Sequence, residues 1–463
     1  MIEKDLLERV LGRALAGGGE WAEVFALDSG GSSARLEDGR IEELTSGRER
    51  GAGIRVIVGE STGFAHTADL TEAGLLEAAA AASAAAKGGN GGVRTVALER
   101  RDVASTPIGI RPEDIAKGDK VEMLRRAEAA ARAAGNDIRQ VAVLYSDGRR
   151  RFVVANSDGV LAEDDQTRTR LAVQAVATGD TGMQTGFRAV SGVKGWELFD
   201  ELPPEAAGEE AARRALVKLK ARPAPSGSMP VVIAAGSGGV LFHEACGHGL
   251  EADLVNKGAS TFAGRVGEQV ASPLVTLVDD GTVAGAWGNL GVDDEGHPAQ
   301  RNVLIQDGVL TEFMWDSLRS RTAGRDGTGN GRRQSYKVLP MVRMTNTYLL
   351  AGQGDPEDII GSTERGIYVK NLGGGQVDTA SGDFVFGMVE SYLIENGEIT
   401  EPLRESNLIG NGPAVLQGID AVAGDFAMSE GGGMCGKDGQ SVPVGMGQPT
   451  LRVAALTVGG TAQ

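Results

Sequence analysis

Cysteine and histidine are scarce in this chain: two of the first and four of the second among 463 residues. Two cysteines cannot build a disulfide framework, and thiols kept reduced fit a cytoplasmic protein. Aromatic residues are only 4% of the chain, whereas glycines number 70. So many turn and bulge formers suit sheets and loops better than long helix bundles. No apolar run reaches the ~20 residues needed to span a bilayer. The opening "MIEKDLLERVLGRALAGGGEWAE" reads as an amphipathic helix and not as a secretion signal. A basic surface is missing as well, since the formal net charge is −17. The clusters Arg149-Arg150-Arg151 and Arg332-Arg333 are short or set among acidic residues. Direct binding to a nucleic-acid backbone is therefore not expected.

What is present predicts an α+β protein of two domains, residues 1–222 and 231–463. The first domain reads as a unit of helix, four strands and helix, used twice, over about 1–90 and 118–222. In the first copy a helix at about 3–16 precedes "AEVFALD", "SARLEDGRIEELT", "GIRVIVGE" and "STGFAHT". Asp38-Gly39 is a hairpin turn signal. An alanine-rich helix follows, with Thr71 or Asp69 available as its cap. The second copy repeats the order from "KVEMLRRAEAAARAAG" to "PEAAGEEAARRALVKLKA". The stretch "RPAPSGSMP" at 222–230 has the proline and serine content of a linker. Beyond it, strand-like runs separated by Gly- and Asp-rich turns predict mainly antiparallel sheet. Its Asp-Gly and Asn-Gly pairs in "IQDGVL" and "IENGEI" are hairpin signals. The one convincing helix there carries "HEACGHGLEADLV", starting at His243.

That motif concentrates two of the four histidines and one of the two cysteines in six residues. Two satisfied core histidines would be the bland reading. His243-Glu244 with a second histidine nearby supplies instead two nitrogen ligands and a general base. The difficulty is the spacing. His248 follows His243 by five residues, which on an α-helix leaves them roughly 140° apart. A π-bulge eased by Gly247 would bring His248 back under His243, so a non-ideal helix is expected around 246–249. The rival keeps the helix regular and uses Cys246 as the second ligand. Candidates for a third ligand are Glu251, Asp253, His297 and Cys435, the last in a glycine-rich stretch read as a flexible loop. Composition does not choose between a ligand and a buried free thiol at Cys435.

"LFHEACGHGLEADLV", "KGASTFAGRVGEQVASPLVTLVDDGT", "DDEGHPAQRNVLI", "TGNGRRQSY", "MTNTY" and "GGGMCGKDGQSVPVGMGQP" together resemble the TldD branch of the TldD/PmbA family of zinc metallopeptidases. The matches run over 231–459, and the N-terminal half resembles the family's layout more loosely. The resemblance implies Zn2+ held by His243, His248 and Cys435, with Glu244 as the catalytic base; it gives His66 and His297 no role. It also implies cleavage of unfolded or extended peptides, and a heterodimer with a catalytically silent, PmbA-like (TldE) paralogue. Two rivals follow different chemistry. A non-catalytic binding regulator of DNA gyrase would not need Glu244, and a thiol hydrolase built on Cys435 would survive metal removal.

Overall fold

The computed structural model describes residues 1–86, 94–378, 380–404 and 406–460. The expected ends of the first repeat near residue 90 and of the second domain at residue 463 lie outside the described residues. In chain order the N-terminal half holds α1 (Lys4–Leu15), β1 (Trp21–Glu37), β2 (Arg40–Val58), β3 (Ser61–Thr67) and α2 (Glu72–Ala85). Then come β4 (Glu99–Arg100), α3 (Lys117–Ala133), β5 (Ile138–Asn156), β6 (Val160–Gly179), β7 (Gly182–Gly192), a short α4 (Leu198–Glu201) and α5 (Pro204–Leu219). α1 forms where Leu7, Val10, Leu11, Ala14 and Leu15 recur at helical spacing, and all five are buried. Thr71 caps α2 by accepting from the Gly74 amide.

Each repeat contains three strands in place of the four expected, the first two of them long. The breaks between the expected strands, 29–32 and 148–149, run on inside β1 and β5. Gly31 pairs with Gly47 on one side and Gly148 on the other. A Cβ on Gly31 would collide with the Asp147 carbonyl oxygen, so glycine here permits close strand approach and not chain reversal. β1 and β5, the first strands of the two repeats, pair antiparallel, which fuses both repeats into one sheet ordered β3-β2-β1-β5-β6. β4 and β7 share the outer edge of β6. One face is covered by α1 and α2 over one repeat and by α3 and α5 over the other. From the opposite face Phe25, Leu27, Phe152 and Val154 pack against Val292 and Tyr336 of the C-terminal half.

Residues 222–230 are not a free linker. Arg222–Pro223 pairs with Leu403 and Arg404, and Gly227–Ile233 is an internal strand of the C-terminal sheet. Pro223 is tolerated because its short strand lies at the sheet's edge. The ladder of Arg365–Val377, Gly227–Ile233, Leu451–Gly460, Ser406–Asn411 and Asp383–Glu395 closes on itself, because its first and last strands also pair. A second sheet joins Leu277–Asp280, Arg301–Gln306, Asn346–Leu349 and Gln440–Gln448. Pairing is antiparallel except where strands such as Asn346–Leu349 and Gln440–Gln448 run parallel. Short helices at Ser317–Thr322, Pro356–Gly361 and Gly412–Gly418 accompany the motif segment.

The two halves are also joined by buried charge. Arg55 of β2 binds Glu23 and Glu295, and Arg333 binds Glu23, with all four side chains at most 2% exposed. Arg150 reaches Asp294 at 2.6 Å. Neither basic cluster of the sequence is therefore an unpaired basic surface: Arg149 and Arg151 pair with Asp165 and Asp28, and Arg332 and Arg333 are buried.

Candidate metal centre

The motif segment changes its winding where the five-residue spacing requires it. Ser237–Gly239 is a 3-10 turn and Val240–Phe242 is α-helical. His243–Gly247 is π-helical, and His248–Leu250 returns to 3-10 winding. The wider π turn brings the two imidazoles to a centroid separation of 5.1 Å, with their planes at 82°. Leu241, Phe242, Ala245, Cys246 and Leu250 face the C-terminal core and anchor the segment. Gly247 has ordinary helical backbone angles, and a Cβ there would collide with the Met344 sulfur. It is thus glycine for packing as well as for winding.

His243, His248 and Cys435 offer ligand atoms that all lie within 4.8 Å of one another, and all three residues are buried. Cys435 Sγ stands 3.2 Å from His248 Nε2. That is near the ~3.5 Å separation of a sulfur and a nitrogen sharing one tetrahedral zinc. His243 is 1% exposed, yet neither of its ring nitrogens has a hydrogen-bond partner among the described residues. Such an orphaned pair is rare in a folded interior and fits a ligand position. Burial alone would raise the Cys435 thiol, but the adjoining His243 and His248 imidazoles hold it down to about 4. The thiolate is the form that binds metal. Two imidazoles and a thiolate suit zinc among common ions.

Around these three sits a supporting set that sequence reasoning assigned differently. Glu251 and Asp253, considered above as ligands, are partners of Lys437, whose Nζ donates to them at 2.8 and 2.7 Å. Glu251 also faces His248 Nδ1 at 3.2 Å, leaving Nε2 toward Cys435. Burial works against the charged form of His248, but Glu251 and Cys435 outweigh it and raise its pKa. Burial likewise opposes ionisation of Glu251, and His248 and Lys437 bring it down to about 2. Glu244 lies on the exposed side, 3.8 Å from His248 Nε2 and 24% accessible.

Cys435 is not on a flexible loop. It lies in strand Gly433–Lys437, paired with Gln440–Gln448 across a two-residue turn, Asp438-Gly439, with φ of 48° and 75°. Its carbonyl accepts from buried Arg343, and the Gly433 carbonyl accepts from the Trp287 indole at 3.0 Å. The Lys437-Asp438-Gly439-Gln440 turn was visible in the sequence as another Asp-Gly hairpin signal. Arg343 had no such signal.

The remaining candidates lie apart from this convergence. The Cys246 thiol donates to the Phe242 carbonyl at 3.0 Å, and burial pushes it up to about 12. His297 Nε2 is 2.9 Å from Ser317 Oγ, in the contact between the two halves. His66 is exposed, and its ring meets Tyr336.

Known proteins share both sequence and fold with this chain. Family models for the PmbA/TldA metallopeptidase match its domain 1 at 22–86, central domain at 110–219 and C-terminal domain at 226–460. A "Metalloprotease TldD homolog" of Haemophilus influenzae is 43% identical over 96% of this chain and 93% of its own length. TldE of Thermococcus kodakarensis, at 22% identity, has the same fold with a TM-score of 0.76 over 98% of this chain and 100% of its own. A Thermotoga maritima protein described as a candidate modulator of a DNA gyrase gives 0.81 at 23% identity, over 98% and 99%. At these identities the two structures establish fold alone. The whole-length relationship to named metalloproteases, together with the His-Glu segment and its thiolate partner, makes this chain a metallopeptidase of the PmbA/TldD family.

Proposed function

We propose that this chain is a zinc-dependent peptidase that hydrolyses unfolded or extended peptides, with zinc held by His243, His248 and Cys435. The observation that carries the reading is the pair of buried, unpartnered His243 nitrogens beside a thiolate-forming cysteine and an accessible glutamate. When bound there, zinc supplies the Lewis acidity that polarises a peptide carbonyl and lowers the pKa of water. Glu244 then has the proton work: it accepts the proton of the attacking water and delivers it to the departing amine. Glu251 fixes the His248 ring so that Nε2 faces the centre, and Lys437 holds Glu251 ionised.

A main-chain edge is available for an extended peptide. Arg365–Val377 pairs with Gly227–Ile233 only over Ile367–Val369, and Asn371, Gly373 and Gly374 line the cleft beyond. Main-chain pairing there would tolerate varied side chains. No helix among the described residues is long and apolar enough to cross a membrane. We place the reaction in the cytoplasm, in a heterodimer with a PmbA-like (TldE) paralogue; the family resemblance supports that partnership. Ordering of Cys435 does not require that partner, because this chain holds Cys435 in its own hairpin. The deciding experiment measures zinc per chain and chelator-sensitive peptide cleavage in wild type and Glu244→Gln. One zinc in both and cleavage only in wild type is expected. Cleavage that persists without metal would overturn the assignment.

A further inference from the structure

The cleft beside the metal centre contains one cation that no described residue answers. It encloses about 690 Å3 and reaches from Val240, Gly433 and Met446 to Arg170 and Phe187 on the N-terminal sheet. Val240 lies three residues before His243, and Gly433 two before Cys435. Of the cleft's arginines, Arg188 pairs with Glu430, and Arg214 with Glu210 and Glu390. Arg170 forms no hydrogen bond or ion pair with any described residue, and its Nε is buried. Withdrawing a guanidinium from water without a counter-charge is costly, and its planar fork matches a carboxylate in two parallel hydrogen bonds. In a chain of net charge −17, an unpaired cation in the cleft is also the feature that would draw an anionic group inward.

We propose that Arg170 receives a carboxylate of the peptide substrate and so anchors it beside the metal centre. This rests on the peptidase reading above and adds a substrate preference to it. The carboxylate is either the free C-terminus or an acidic side chain, and the two are separable. Three otherwise neutral peptides of one sequence serve as probes: free C-terminus, amidated C-terminus, and amidated with one internal glutamate. Wild type should cleave one of the carboxylate-bearing peptides with a KM about tenfold to a hundredfold below that of the plain amidated one. Arg170→Gln should abolish that difference with kcat nearly unchanged, and Arg170→Lys should restore part of it. Thermal melting of each variant reports whether the fold is intact.

Preference for the free C-terminus assigns Arg170 to the terminal carboxylate, whereas preference for the glutamate peptide assigns it to a side chain. Equal KM values for all three peptides in wild type, or a preference that survives Arg170→Gln, would overturn the proposal. Failure of the peptidase reading looks different, since no peptide would then show chelator-sensitive cleavage. Fluorescence anisotropy of the same peptides on Glu244→Gln protein still tests Arg170 in that event, and equal binding by all three would refute it.

Discussion

Two buried polar clusters, one at the metal centre and one between the halves of the chain, use similar residues to opposite effect. At the contact, Arg55 and Arg333 neutralise Glu23 and Glu295, Asp293 accepts three backbone amides, and His297 meets Ser317. At the centre, Glu251 and Lys437 satisfy one side of His248, while the nitrogens of His243 stay unpartnered. One cluster pairs its opposite charges with one another, although Arg55 Nε and Arg333 Nε and Nη1 have no hydrogen-bond partner among the described residues. The other brings two imidazoles and a thiol together and leaves both His243 nitrogens without a partner, which is what a ligand site needs. Burial and unpartnered nitrogens do not separate the two; the convergence of two imidazoles and a thiol within 4.8 Å does.

The largest expected effect comes from breaking the convergence. His243→Ala, His248→Ala or Cys435→Ala should each abolish one-equivalent zinc binding in a metal analysis, whereas His297→Ala and Cys246→Ala should leave it in place. Loss of zinc in Cys246→Ala with retention in His248→Ala would restore the regular-helix alternative. Next, Glu244→Gln should keep its metal and lose about 10²–10⁴-fold in peptide turnover, because an amide cannot accept the water's proton. Near wild-type turnover would remove Glu244 from its role.

Breaking the other cluster should act on stability alone. Arg333→Met leaves Glu23 with one fewer partner in a fully buried site and should cost about 3–5 kcal/mol in denaturant unfolding. Its zinc content should be unchanged, and loss of metal would mean that the clusters are not independent. A smaller effect is expected from Glu251→Gln, which keeps the ligands but weakens the orientation of His248; zinc affinity by competitive chelation should fall about 10–100-fold.

The smallest effect concerns pH. Burial, reinforced by Glu295, raises Asp316 to about 7, whereas an unfolded aspartate titrates near ~3.9. The fold therefore holds this proton more tightly than the unfolded chain does. The resulting stability is fully present below about pH 4 and is lost as pH rises through about 7. Asp316→Asn, which fixes a neutral side chain that still caps Ser317–Thr322, should flatten stability over that window. An unchanged slope would show that Asp316 is ionised throughout.

Local signals were the legible part of this chain. Asp38, Asp307, Asn396 and Asp438 all have positive φ and each precedes a glycine, so one turn rule finds four hairpins. At Asp438 the same signal makes Cys435 a strand residue, although the glycines around it suggest a loop. The π winding was legible for a similar reason: two histidines five apart with a glycine between them cannot share a centre on a regular helix. Glycine misled where its cause was tertiary. Gly31 and Gly148 look like turn residues, but they are fixed by the neighbouring strand.

By itself the sequence determined the mixed helix and strand content, the hairpin turns and the pairing of His243 with His248, because each depends on residues a few positions apart. Only the tertiary structure decided the rest. Cys435 meets His248 across 187 residues, and Arg333 meets Glu23 across 310. It also decided that Glu251 meets His248 and Lys437, and that His297 has its own partner. Those outcomes depend on which strands pair and which polar atoms are left over after packing, and neither is written in any local stretch of the chain.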